Sequence, residues 1–187
     1  KILDDKKAVF TPYKGDFKND PDVLKCVDAI ARNGAKMHPR HIRNYADKME
    51  NLKGNLYKIL AKQPNEIQNA YQFYYQVISN LELYNDSFVY IQRDKDLKVT
   101  GLYPLNFKEG KYYEYQGKLW LRLKFGRKTE RFVPYDSCIH LTRFVGEDGL
   151  FGGSPKAIIK TLSIKSTLFY STHLNHYQIK INIKLKH

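Results

Sequence analysis

The chain has 187 residues, of which 42% are hydrophobic, so it is long enough to fold as one domain of ordinary size with a buried core. Its 32 basic and 19 acidic side chains leave a net charge of +13, which favours nucleic acid or another polyanion as a partner. The lysines are scattered rather than gathered on one helix face, so a solubilising surface explains the same charge. The sequence has no run of about 18 apolar residues and no visible signal peptide, and we therefore expect no contact with a membrane.

The first part of the chain is predicted to hold an arm and a helix. Residues 1–19 have no hydrophobic period and mix charge with Pro and Gly, which indicates an extended arm. Asp20 and Pro21 are a favourable N-cap and first helical residue. A helical stripe of apolar residues follows them: Val23, Leu24, Val27, Ile30 and Ala31.

The pattern is weaker between this helix and the next. Pro39 pushes His38 toward extended backbone, so residues 37–43 are predicted to be extended. Residues 45–54 are highly charged, which indicates a loop or a frayed helix. A short second helix is marked by Leu56, Ile59 and Leu60.

The centre of the predicted fold is a helix followed by a hairpin. After a turn signal at residues 63–65, apolar residues recur at helical spacing: Ala70, Tyr71, Phe73, Tyr74, Val77, Ile78, Leu81 and Tyr84. Asn85 and Asp86 end this helix, because both side chains compete for backbone hydrogen bonds. Residues 87–93 and 99–105 alternate with period two and predict two strands. We expect the helix to pack on these strands through Phe73, Val77 and Leu81.

Three more strands are predicted after a turn at residues 108–111. Residues 112–115, 118–125 and 129–133 are joined by turns that contain Gly. Leu119, Leu121, Leu123 and Phe125 face one side of the middle strand, which is typical of an antiparallel sheet with one covered face. The chain as a whole is therefore predicted to be α+β, with antiparallel sheets and hairpins packed with a few helices.

The remaining residues are predicted to form a strand, a loop and a helix before the composition changes. Residues 138–141 predict the strand, residues 145–153 a Gly-rich loop, and Ser154 with Pro155 the start of the helix. Residues 167–187 contain no acidic side chain and end with Ile or Leu alternating with Lys or Asn, which fits an edge strand protected by lysines.

Residues 149–155, GLFGGSP, invite comparison with a phosphate-binding loop. The stretch has no Lys followed by Ser or Thr after its last Gly, so no side chain would reach the β- and γ-phosphates of a nucleotide. Ser154 is followed by Pro155, which does not match the nucleophile elbow of a hydrolase. We interpret the stretch as a loop closed by a helix cap.

The histidines do not complete a metal or catalytic site. His38 with His41, and His173 with His176, are three residues apart but lack a Cys or carboxylate cluster, so we interpret them as surface histidines. His140 lies at the end of a predicted strand without a nucleophile motif. We therefore interpret His140 as a packed or hydrogen-bonded side chain rather than a general base.

The remaining candidates have structural explanations. Asp94 and Asp96 share a predicted turn, and turn chemistry explains them without a metal. Cys26 and Cys138 have no partner motif and are interpreted as small buried residues in a reducing compartment rather than as a disulfide. We predict that the chain is not an enzyme and has no catalytic residue, cofactor or metal, and we assign no nucleic-acid-binding residue from the sequence.

Several weak motifs occur in the order that is found in the portal proteins of tailed phages, in the family common to siphophages and prophages. They lie at residues 22–27, 56–60, 63–65, 102–105 (LYPL) and 139–141, and at Gly149, Gly152, Ser154 and Pro155. Residues 85–91 differ in sequence from the family's motif at this position but keep its hairpin. Because the order and spacing are shared, residues 22–166 resemble the wing, the outer part near the start of a portal subunit.

The resemblance implies a structural role in the virion. Portal proteins form a ring at one capsid vertex, and DNA is packaged and ejected through this ring. The implied partners are other portal subunits, the major capsid protein, the terminase, head-completion proteins and double-stranded DNA bound without sequence preference. The implied location is the virion or the cytoplasm of the bacterial host.

The resemblance also sets the expected domain boundaries. Residues 1–19 are the arm, residues 20–166 the wing-like α+β domain and residues 167–187 a divergent tail. Because the tail does not resemble the family's continuation into stem and clip, we expect a truncated portal. The rival interpretation is a stand-alone basic module, derived from a prophage portal gene, that binds nucleic acid or another phage component. An enzyme is the third class considered.

Overall fold

The computed structural model describes residues 19–45, 48–107, 109–125, 129–145 and 151–153. In chain order the elements of these residues are α1 (Pro21–Gly34), β1 (Ile42–Tyr45), β2 (Lys48–Asn51), α2 (Asn55–Ala61), α3 (Ala70–Tyr84), β3 (Asp86–Arg93), β4 (Val99–Pro104), β5 (Glu109–Tyr115), β6 (Lys118–Lys124), β7 (Glu130–Pro134), a 3₁₀ helix (Tyr135–Ser137) and β8 (Cys138–Thr142). The predicted arm, the helix from Ser154 and the tail lie outside the described residues. None of the described helices is long and apolar enough to cross a membrane.

The strands form two three-stranded antiparallel sheets and a separate hairpin. The first sheet has the order β4–β3–β8, the second has the order β5–β6–β7, and β1 pairs with β2. The tight turn between β5 and β6 places Gln116 and Gly117 at positive φ, which is the backbone that matches the twist of a two-residue hairpin. The α+β class and the strands of both sheets confirm the prediction.

Helix α3 has a well-defined start and end. Its N-cap Asn69 accepts from the Gln72 amide while the Gln72 side chain accepts from the Asn69 amide, which completes a capping box. Asn85 follows the helix in the left-handed conformation, as its side chain allows. The turn before α3 is held to β4 by the buried Asn65, whose amide nitrogen donates to the Leu102 oxygen at 2.8 Å.

Strand β3 separates two hydrophobic cores. On one face Val89 joins the helix-side core, which contains Ile59, Phe73, Val77 and Leu102. On the other face Phe88 joins the core between the two sheets, which contains Tyr112, Leu121, Leu123 and Phe151. The alternation of side chains along one strand therefore builds three layers: helices, first sheet and second sheet.

Helix α1 packs on α3 and buries fewer apolar side chains than its apolar stripe predicts. Val27 and Ala31 are buried, whereas Leu24 and Ile30 are exposed. At the C-terminal end, a Cβ on Gly34 would overlap the Ile78 side chain, so Gly34 permits the close approach of the two helices.

Four predictions need correction. Within the predicted loop or frayed helix of residues 45–54, residues 48–51 instead form β2, which pairs with β1. Within the predicted turn of residues 108–111, residues 109–111 instead begin β5, which pairs with β6. Cys26 is exposed rather than buried, because α1 buries only the narrow stripe that faces α3. Leu81 is half-buried and lies outside the helix-side core, unlike Phe73 and Val77.

Candidate functional site

The most connected polar group among the described residues is a buried network around His140. Its Nε2 lies 2.8 Å from Asp86 Oδ1, and its Nδ1 lies 3.3 Å from the Tyr112 hydroxyl and 3.2 Å from the Tyr135 hydroxyl. The Asp86 carboxylate also accepts from the Gly152 amide at 2.9 Å. The arrangement fits the tautomer with the proton on Nε2, which donates to Asp86 while Nδ1 accepts from the tyrosines.

This network is assembled by strand pairing between distant parts of the chain. In the register of β3 and β8, Phe88 lies opposite His140, and the two rings stack with centroids 3.9 Å apart. Tyr112 comes from β5 of the second sheet, and Tyr135 comes from the 3₁₀ helix before β8. The network therefore ties the first sheet to the second.

The polar groups of the network are mostly occupied by one another. The side chains of His140 and Asp86 are only 5% and 2% exposed, and the rings of Phe88 and Phe151 pack against the imidazole. The imidazole is therefore largely covered by the residues that the structure describes. Burial raises the pKa of the nearby Cys138 thiol to about 11, with a smaller effect of Asp136, so this thiol is neutral at pH 7. His140 is the packed and hydrogen-bonded side chain that the sequence predicts.

The described part of the Gly-rich loop is packed against the end of α3. Val145 forms a bridge with Gly152, and the Gly153 amide donates to the Phe144 oxygen. The Asn85 side chain donates to the Gly153 oxygen at 2.6 Å. Gly149, Ser154 and Pro155 lie outside the described residues. The described glycines thus have their amides engaged within the fold rather than aimed at a phosphate.

The other residues considered as metal-binding or catalytic candidates do not form a common site among the described residues. Asp94 accepts from the amides of Asp96 and Lys98 at 2.9 Å, which is the turn role expected for it. The described residues hold no cluster of three or more His, Cys, Asp or Glu side chains that could bind a metal. His38 is exposed and His41 is partly buried, whereas His173 and His176 lie outside the described residues. Cys26 and Cys138 are free thiols.

An exposed apolar strip lies on β8 and the residues that follow it. Ile139 is opposite Val89 in register, so Ile139 and Leu141 lie on the sheet face that carries α3, and both are exposed. Phe144 and Val145 continue the strip and are 69% and 65% exposed. In the part of the chain that the structure describes, β8 pairs on one edge only, with β3. The β8 strip (Ile139, Leu141, Phe144 and Val145) is a surface that another protein chain could cover.

The outer face of the second sheet is ordered by a cross-strand ion pair. Arg122 of β6 binds both carboxylate oxygens of Glu130 in β7, at 2.9 and 2.6 Å, and also donates to the Tyr113 hydroxyl at 3.2 Å. The hydrogen bonds from Arg122 hold the pKa of Glu130 below its usual value. Phe132 packs edge-on against Tyr113 beside this pair. Sequence reasoning missed this group and the Asp86–His140 pair, because each depends on strand register rather than on a local motif.

Comparison with known proteins identifies the family. A family model described as phage portal protein matches residues 21–165. A search among curated proteins found no match.

Three solved structures share the fold. A chain from the virion of a native gene transfer agent particle matches with a TM-score of 0.65 and 15% identity, over 85% of this chain and 42% of that one. A chain from the neck of the empty particle matches with a TM-score of 0.64 and 14% identity, over 85% of this chain and 44% of that one. A chain from the neck of the native particle, computed with C12 symmetry, matches with a TM-score of 0.61 and 14% identity, over 85% of this chain and 42% of that one. This chain thus spans less than half the length of these neighbours. Because the family match extends over most of its length, the chain belongs to the phage portal protein family.

Proposed function

We propose that this chain is part of a portal protein, a structural subunit of the ring at one capsid vertex through which DNA is packaged and ejected. The observation that carries this proposal is the family match over residues 21–165, which spans every described helix and strand. The fold shared with virion and neck chains of the gene transfer agent supports it.

Within such a subunit, residues 20–166 are the wing, residues 1–19 are an arm and residues 167–187 are a divergent tail. The layered architecture supports this assignment of the wing. The described residues form two antiparallel sheets and short helices with an exposed sheet edge, and hold no long helix suited to lining a channel.

The first partner is a neighbouring copy of the subunit. A closed ring needs one surface of each subunit to bind a different surface of the next. The β8 strip supports this role. Its two exposed apolar side chains on the edge strand, and the two that follow the strand, favour contact with protein over water.

The other partners are the major capsid protein, the terminase, head-completion proteins and double-stranded DNA. The net charge of +13 supports DNA contact through phosphates without sequence preference. The protein works at the capsid vertex of the virion after synthesis in the host cytoplasm. It does so without catalysis, and movement of the DNA is the task of the terminase.

Deletion of the reading frame from the phage or prophage that carries it tests the proposal. We expect capsids without DNA in electron micrographs, and restoration of filled capsids when the wild-type protein is supplied in trans. Infectious, filled particles in the absence of the protein would overturn the proposal.

The same assay tests the β8 strip with a matched pair of variants. Phe144→Asp places a charge in the strip, and we expect it to fail to restore filled capsids. Ile67→Asp replaces an apolar residue that is 82% exposed on a different surface, and we expect it to restore them. Equal restoration by both variants would remove the β8 strip from the ring interface.

A further inference from the structure

The hairpin of β1 and β2, with the residues on either side of it, concentrates positive charge. Residues 36–58 of the sequence contain two carboxylates, Asp47 and Glu50. The cations in the same residues are Lys36, Arg40, Arg43, Lys48, Lys53 and Lys58. The segment that contains the hairpin is therefore more positively charged than its length alone would give it from the net charge of the chain.

The register of the hairpin, extended past its last pair, puts two of these cations at opposite positions. Ile42 lies opposite Asn51, and the Leu52 amide donates to the His41 oxygen at 2.8 Å, which extends the pairing by one residue. The next pair along the same register is Arg40 and Lys53. Like charges directly opposite each other destabilise a hairpin unless an anion lies between them.

A small cavity opens where this pair meets α2. Its volume is about 160 Å³, well above the roughly 10–15 Å³ that one water needs, so a phosphate group fits. It is lined by Arg40, His41, Asn51, Leu52, Lys53 and Tyr57.

The polar lining of this cavity has free donors. The side chains of Arg40, Asn51, Lys53 and Tyr57 make no hydrogen bond or ion pair with another described residue. The Nδ1 atom of His41 is buried and also lacks a partner within the described part of the chain. Two cations and two neutral donors thus line one cavity without a hydrogen-bonded or ion-paired acceptor among the described residues.

We propose that this cavity, the hairpin pocket, binds the oxygens of a phosphate group. A guanidinium offers two parallel N–H donors to a phosphate, a lysine adds a point charge, and the amide of Asn51 and the hydroxyl of Tyr57 can donate to the remaining oxygens. The bound anion offsets the repulsion between Arg40 and Lys53. The ligand is either the backbone of a nucleic acid or free phosphate.

The surrounding charge favours a nucleic-acid backbone. Lys36, Lys48 and Lys58 lie within the same stretch and are exposed, so they can contact phosphates that flank the one in the pocket. Assignment of this nucleic acid to DNA in a phage head rests on the proposed function, whereas binding of phosphate by the hairpin pocket does not.

Fluorescence anisotropy with a labelled double-stranded DNA of random sequence measures the effect of two paired substitutions. The test variant is Arg40→Gln with Lys53→Gln. The control is Lys95→Gln with Lys118→Gln, which removes the same charge from exposed residues in, or next to, the turns of other hairpins. Thermal unfolding of both variants verifies that they fold.

We expect the test variant to raise the Kd for DNA by about tenfold or more, and to reduce the slope of log Kd against log salt by about 0.9, because the contact with the one phosphate in the pocket is lost. The control should change the Kd by less than about twofold. Phosphorus NMR of inorganic phosphate with each protein identifies the source of the ligand. Pocket-dependent broadening of the phosphate signal with unchanged DNA affinity would assign the site to free phosphate.

Two results would overturn the proposal. One is an equal effect of the test and control variants in both measurements, which includes the absence of any binding. The other is displacement of the DNA by poly-glutamate at the same concentration of charge, which would show a general site for acidic polymers. Neither result depends on ring assembly, so the failure of this inference is distinguishable from the failure of the proposed function.

Discussion

At the scale of single residues, Asp86 ties β3 to β8 and to the Gly-rich loop. Its carboxylate meets His140 and the Gly152 amide, and it is almost fully buried. Asp86→Ala removes the carboxylate acceptor of the Gly152 amide and leaves His140 Nε2 with only Thr142 Oγ1, 3.3 Å away. We expect a loss of about 1–3 kcal/mol of unfolding free energy for each buried donor, measured in urea titrations. Asp96→Ala, in an exposed turn, should cost less than about 1 kcal/mol. A loss at Asp86 no larger than at Asp96 would mean that the network contributes nothing.

Gly152 is required by close approach of two backbone segments. A Cβ at this position would overlap the Asn85 backbone oxygen and lie 2.7 Å from its carbonyl carbon. We expect Gly152→Ala to cost about 1–3 kcal/mol, because neither backbone segment can move without breaking the Asp86 contacts. Gly54→Ala is the matched control, since nothing lies within 4 Å of a Cβ there. Similar melting temperatures for the two variants would contradict the packing of the loop.

At the scale of elements, α3 contributes to the core through its buried side and less through its final turns. Phe73 is 3% exposed and packs among the helix-side core residues, whereas Leu81 is half-buried. Phe73→Ala should therefore cost about 3–5 kcal/mol, and Leu81→Ala less than about 2 kcal/mol, in chemical denaturation. An equal cost for the two substitutions would show that Leu81 is in the core and that α3 presents a different face to the sheet.

At the scale of the whole molecule, a polypeptide of these 187 residues should not form a stable ring. It corresponds to less than half of the neck chains that share its fold, so it lacks the counterpart of much of their surface. The remaining interface must offset an association cost of about 4–15 kcal/mol, and the net charge of +13 adds repulsion at low salt. We expect a monomer or small oligomer by light scattering at micromolar concentration. A mass near twelve times 22.0 kDa would contradict this.

The same polypeptide should show no ATPase or nuclease activity. Its one buried histidine–carboxylate pair among the described residues is shielded by aromatic rings, and its Gly-rich loop lacks the residues of a nucleotide site. Purified protein assayed with ATP and with plasmid DNA provides the measurement. Turnover that survives purification and disappears on a single substitution, for example His140→Phe, would show that a catalytic site exists.

The sequence by itself determined the features that depend on neighbouring residues. The cap at Asp20, the stripe that begins with Ala70, the stop at Asn85 and the turn at Gln116 and Gly117 were all predicted, because capping, helical spacing and turn backbone are local properties. The order of family motifs likewise indicated the portal family.

Only the tertiary structure decided which strands are neighbours and which side chains they bring together. Asp86 and His140 are 54 residues apart, and nothing near either residue predicts their contact. The same holds for Arg40 and Lys53, which line one cavity because Ile42–Tyr45 pairs with Lys48–Asn51. The physical reason is that strand pairing forms backbone hydrogen bonds between residues that are far apart in the sequence. The register of such a pair depends on which side chains it buries on each face of the sheet, and not on the residues next to each strand.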